Sequence, residues 1–67
     1  MRISYNKLWK MLIDKNMKKI DLKEKAGISS ASLAKLGKGD NITTDVLLRI
    51  CDAMDCRIED ILETVRD

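Results

Sequence analysis

Residues 22–36 read LKEKAGISSASLAKL, and the rest of the chain organises itself around this stretch. Leu22 and Ala26 stand four apart, on one face of a helix. Gly27 interrupts them, because glycine enters left-handed backbone without a side-chain clash and so permits a sharp turn. Ile28 and Leu33 stand five apart, the spacing at which a residue just before a helix cap packs on one in the first turn. Ser29, after Ile28, carries the side-chain oxygen that a cap needs. Leu33 and Leu36 then face a second helix inward. Its outer stripe holds Ser30, Ala31, Ala34, Lys35 and Lys38: small residues first, lysines late. One account is that alanine simply forms helix well and serine caps it. The other is that a bare helix face is clearance for a contact surface.

The five-residue apolar spacing recurs along the whole chain, as Ile3/Leu8, Met17/Leu22, Ile28/Leu33, Ile42/Leu47 and Cys56/Ile61. Each pair proposes a helix start, with caps at Ser4, Lys18, Ser29, Thr43 and Arg57. Proline is absent, and the periodicities predict an all-α chain of five helices. The first spans about Tyr5 to Lys15 with Tyr5, Leu8, Trp9, Leu12 and Ile13 on one face, and Asn16 stops it in left-handed backbone. The second spans about Lys19 to Ala26, and the third Ser30 to about Gly37, with Gly37 and Gly39 read as its stop. The fourth, Thr44 to about Met54, buries Leu47, Ile50, Cys51 and Met54. The fifth, Ile58 to Val65, places Ile58, Ile61, Leu62 and Val65 at i, i+3, i+4 and i+7. A dimer surface is expected from the fifth helix or from the segment Met1–Tyr5, where Met1, Ile3 and Tyr5 alternate as in a strand paired across a dimer.

With 67 residues the expectation is one domain, 1–67. The chain has no histidine and two cysteines, which excludes the usual zinc ligand sets. Cys51 and Cys56 fall on apolar positions, so free buried thiols are expected over a disulfide. Neither a signal-peptide pattern nor an apolar run of membrane length is present, so the expected compartment is the reducing cytoplasm. The net charge is only +2, yet residues 1–41 hold ten Lys/Arg against four Asp/Glu, and residues 42–67 three against seven. Such asymmetry suits a basic face for a polyanion and an acidic end held away from it, or else a solvated surface with chance clustering.

Two helices joined by a short turn make a helix-turn-helix, here about residues 18–38, in which the second helix enters the DNA major groove. LKEKAGISSASLAKL resembles the motif of the phage repressor and Cro class, the XRE-like transcriptional regulators. The pattern of that class wants apolar residues at Leu22, Ile28, Leu33 and Leu36, a small one at Ala26 and glycine at Gly27. LLRICDAMDCRIEDIL (residues 47–62) looks like its fourth and fifth helices. The chain departs from the pattern at Lys23, where a small residue is usual, and at Lys18 and Lys19, where the class has Ser or Thr followed by Gln. The resemblance implies a five-helix repressor-like domain with base contacts from Ser30, Ala31 and Lys35, and Ser32 near the backbone. Lys38, just past the helix, reaches base or phosphate. Lysines 18 and 19 crowd a helix N-terminus that already carries partial positive charge, which a bound phosphate would reverse and Asp21 would locally offset. Asn41 and Thr43 suit phosphate contact, although Thr43 serves equally as a helix cap. Tyr5 and Trp9 could stack on bases, but their place on the first helix's apolar stripe assigns them to the core.

The expected function is therefore sequence-specific binding of double-stranded DNA by a transcriptional regulator, a repressor by resemblance, acting as a homodimer. The alternative is a protein-interaction module of the same fold, such as an antitoxin or accessory subunit, to which the acidic fifth helix is suited. No cofactor is expected. Enzymatic activity finds no support: histidine is missing, no carboxylate pair falls in a recognisable cleft, and GKG at residues 37–39 is too short for a phosphate loop.

Overall fold

The computed structural model describes Met1–Arg66; Asp67, the last residue of the expected domain, lies outside the described residues. The chain runs as strand β1 (Arg2–Ser4), helices α1 (Asn6–Asp14), α2 (Lys19–Ala26), α3 (Ser30–Lys38) and α4 (Thr44–Met54), one 3-10 turn at Ile58–Asp60, and strand β2 (Glu63–Val65).

Three of the connections are one device repeated. Asn16, Gly27 and Asp55 take left-handed backbone, at φ 60, 67 and 51. The next residue in each case, Met17, Ile28 or Cys56, donates its N–H to the carbonyl five back, that of Leu12, Lys23 or Cys51, at 2.9, 3.2 and 3.0 Å. The third residue, Lys18, Ser29 or Arg57, is extended and caps the next helical element. One apolar residue thus closes the helix behind it and staples the element ahead. That double duty is why a five-residue apolar spacing marks the boundaries. The α3–α4 connection begins the same way, with Gly39 at φ 73 and Asp40 N–H on Lys35 carbonyl at 3.0 Å. It then adds Asn41 and Ile42 before the Thr43 cap.

The caps follow their chemistry. Ser29 Oγ accepts from Ser32 N–H at 3.1 Å and Thr43 Oγ1 from Val46 N–H at 3.2 Å. Lys18 and Arg57 carry no acceptor, so the carboxylates of Asp21 and Asp60 reach back three residues and accept the cap N–H, each at 2.9 Å. Helix α1 is capped by Tyr5 rather than Ser4; the buried Ser4 hydroxyl still accepts Asn6 N–H, at 3.3 Å.

The fifth helix is absent. Its predicted span, Ile58–Val65, forms one 3-10 turn and then β2, antiparallel to β1 with Arg2 opposite Val65, Ile3 opposite Thr64 and Ser4 opposite Glu63. Eight residues ending in the β-branched pair Thr64-Val65 give a weak helix, whereas β1 offers backbone partners. The helical reading buries four residues, but only Ile61 is buried; Ile58 is 39% exposed. The N-terminal strand does form, and one edge of it pairs with the end of its own chain.

Two further expectations are corrected. Gly37 lies inside α3, and Gly39 alone is its left-handed stop. Ile13 is 75% exposed, because at 3.6 residues per turn it stands about 140° around α1 from Leu8, past the stripe set by Tyr5, Leu8 and Leu12. The fully buried side chains are Leu8, Leu22, Leu36, Ile50 and Ile61, one from each helix and one from the end of the 3-10 turn. Each contributes roughly 1.5–3 kcal/mol by leaving water. Leu33 and Cys51 are only half-buried.

Candidate nucleic-acid interface

The interface is built from α2, its turn and α3. Buried Leu22 and Ala26 hold α2 to the core, and the left-handed Gly27 redirects the chain into α3. Both ends of α3 are tied down. At its start Ile28 is buried, and Arg49 of α4 donates from Nη1 to the Gly27 carbonyl at a long 3.4 Å while its Nε pairs with Asp45 at 3.0 Å. Past its end, the Tyr5 hydroxyl donates to the Asp40 carbonyl at 3.0 Å. Burial, and secondarily the Asp40 carboxylate, pushes the Tyr5 phenol above its ordinary pKa. Between these anchors Leu36, 1% exposed, fixes the rotation of the helix.

With that rotation set, Ser30, Ala31, Ala34, Lys35 and Lys38 all face solvent. The first turn of α3 holds no acidic residue and its last turn holds Lys35 and Lys38. The helix therefore offers a small, hydroxyl-bearing N-terminal half with uncompensated positive dipole, and a cationic C-terminal half. On the N-terminal half of the stripe only the short side chains of Ser30, Ala31 and Ala34 stand outward.

The residues assigned to the DNA backbone divide. Lys18 and Lys19 are exposed at the start of α2. The Lys19 ammonium lies 4.5 Å from the centroid of the Trp9 ring, over its face. Ser32 is half-buried; its N–H goes to Ser29 Oγ, and Ser29 Oγ–H donates to its hydroxyl at 3.1 Å. It completes the cap of α3. Thr43 is exposed and its Oγ1 accepts from Val46 N–H, which realises the cap reading. Asn41 is exposed on the α3–α4 connection. Lys23 is half-buried in α2.

Trp9 separates two concavities. One, about 190 Å³, lies against Asn6, Gly37 and Lys38; the other, about 270 Å³, against Leu12, Ile13 and Met17. Sequence reasoning placed Trp9 in the core, but it is half-buried and leaves a face for Lys19. The Tyr5–Asp40, Arg49–Gly27 and Trp9–Lys19 links were not legible, since each joins residues distant in sequence; only the Asp45/Arg49 spacing of four is a visible signal. Among the described residues no group of three or more His, Cys, Asp and Glu side chains converges to hold a metal, and no helix is long and apolar enough to cross a membrane.

Four helices with α2 and α3 set about a glycine turn, and α3 presenting its outer face, define a helix-turn-helix DNA-binding fold. The model of the Cro/C1-type HTH DNA-binding domain matches residues 7–67, and the chain belongs to that family. Among solved structures it is similar to the transcriptional regulator VanUg in its crystal form II. The two share 50% identity at a TM-score of 0.94, over 98% of this chain and 88% of that one. None of the curated proteins compared matches it.

Proposed function

We propose that the chain binds double-stranded DNA sequence-specifically as a transcriptional regulator, a repressor, with α3 in the major groove. The observation that carries this reading is the α3 stripe: five exposed residues, small at the N-terminal end and cationic at the other, on a helix anchored at both ends. Ser30 donates to or accepts from base edges, the Ala31 methyl meets a thymine methyl, and Lys35 donates to guanine, with Lys38 on base or phosphate. Lys18, Lys19, Asn41 and Thr43 contact phosphates, and the Ser32 hydroxyl, once its Ser29 partner is counted, does so as a secondary contact.

A homodimer fits the same reading, because two half-sites multiply the modest discrimination one α3 offers. With the fifth helix absent, its surface falls to α4 and the 3-10 turn packed on it, where Leu48 (61%) and Ile58 (39%) are exposed. The test is a titration of duplex DNA over a salt series. Several phosphate contacts give affinity that falls steeply with salt, by about one unit of log–log slope per contact; a flat response refutes the proposal.

A further inference from the structure

Lys19 is not an ordinary surface lysine. It is the first residue of α2, yet its ammonium is held 4.5 Å from the Trp9 ring centroid on α1. A Cβ placed on Gly37 of α3 would lie 4.0 Å from the same nitrogen. Three elements therefore fix one charge: α2 supplies it, an aromatic face on α1 holds it, and α3 leaves room at the one residue of that turn without a side chain. Gly37 is in ordinary helical backbone, so no conformational need explains glycine there. Of the two concavities beside Trp9, Lys19 lines the one formed with Leu12, Ile13 and Met17, while Gly37 and Lys38 line the other, so the ammonium stands by the ring that divides them.

We infer that Trp9 is a positioning residue that holds the Lys19 ammonium beside Gly37, pre-organised to take one backbone phosphate of the DNA whose bases α3 reads. The inference rests on the DNA-binding reading above. A free lysine would have to be ordered on contact, and the aromatic face removes part of that loss beforehand. The ammonium directs three donors, and the ring's negative face occupies only one side of it. Lys19 is exposed, so the ammonium stays accessible away from the ring, with Gly37 of α3 nearby. A Cβ at position 37 would already touch the ammonium at 4.0 Å, so a larger side chain there is expected to crowd it.

The experiment is a double-mutant cycle on the intact chain, with Trp9→Leu, Trp9→Phe, Lys19→Ala and the Trp9→Leu/Lys19→Ala pair. Each is titrated with a duplex enriched from a random pool, over a salt series, after circular dichroism confirms the fold. Lys19→Ala is expected to lower the salt slope by about one. Trp9→Leu is expected to weaken binding about two- to fivefold with the slope kept, since the charge remains. Trp9→Phe keeps an aromatic face and is expected to fall between Trp9→Leu and wild type. In the Lys19→Ala background Trp9→Leu should add nothing. Gly37→Leu, which suits a helix, keeps the charge but crowds its position, and is expected to weaken binding as Trp9→Leu does, with the slope kept and the fold stable. Should Trp9→Leu prove unfolded, Trp9→Phe and Gly37→Leu carry the test. Equal losses from the Trp9 variants with or without Lys19, or no loss at all, overturn the inference while leaving DNA binding intact. Absence of duplex binding by wild type overturns both.

Discussion

Gly37 and Gly39 stand two residues apart and should answer alanine in opposite directions. Gly37 is helical, and a methyl there meets only the end of Lys19, at an ordinary contact distance of 4.0 Å. Alanine in helix interiors is favoured over glycine by about 1 kcal/mol, and roughly half of that survives one residue from the helix end. Gly39 holds φ 73 with nothing within 4 Å of its missing side chain, so the cost of alanine is purely one of backbone, about 1–2 kcal/mol. For a domain of this size 1 kcal/mol moves the midpoint by about 4–8 °C. Thermal unfolding by far-UV circular dichroism should therefore show Gly37→Ala raised by about 2–4 °C and Gly39→Ala lowered by about 4–16 °C. A loss at Gly37 equal to that at Gly39 would mean that α3 ends a turn earlier and that the assignment of the stop to Gly39 is wrong.

Removing the Tyr5 hydroxyl, as Tyr5→Phe, deletes its bond to the Asp40 carbonyl and should cost about 0.5–1.5 kcal/mol in urea unfolding. Because burial raises the Tyr5 pKa above 10, the fold favours the protonated phenol. That stability is complete below pH 10 and is lost as pH rises past it, so wild type should lose midpoint faster than Tyr5→Phe in alkali. The Cys56 thiol is pushed up to about 11 by burial first, then by Cys51 and Asp60, against Lys15. Alkylation of native Cys56 near pH 8 should be about 100-fold slower than in the unfolded chain, measured by mass spectrometry. Leu48→Lys should shift a dimer toward monomer in sedimentation while leaving the thermal midpoint within about 2 °C, since the residue is exposed; an unmoved equilibrium removes α4 from the dimer surface.

The helix boundaries were legible because the same residue closes one helix and staples the next. Met17, Ile28 and Cys56 announce both events, and four of the five expected caps hold their places. The failure at Ile58–Val65 has the same root. A staple at Cys56/Ile61 and a cap at Arg57 do start a helical turn, but they say nothing about its length. What stops it is a strand more than fifty residues earlier, and Ile58, Ile61, Leu62 and Val65 fit a helix period without being required to fill one. On α3 the exposed stripe followed from two inward leucines, one fully and one half-buried. The side-chain links that hold the interface did not follow, because Tyr5, Trp9 and Arg49 act on backbone and charges that only the tertiary fold brings near.

The central claim, that α3 reads bases while neighbouring residues hold phosphates, is tested most directly by selecting bound sequences from a random duplex pool with wild type, Lys35→Ala and Lys19→Ala. One enriched motif is expected for wild type. Lys35→Ala should lose preference at one or two positions and keep it elsewhere, and Lys19→Ala should retain the whole motif at uniformly weaker affinity. No enrichment by wild type, or a motif unchanged by Lys35→Ala and rewritten by Lys19→Ala, would contradict it.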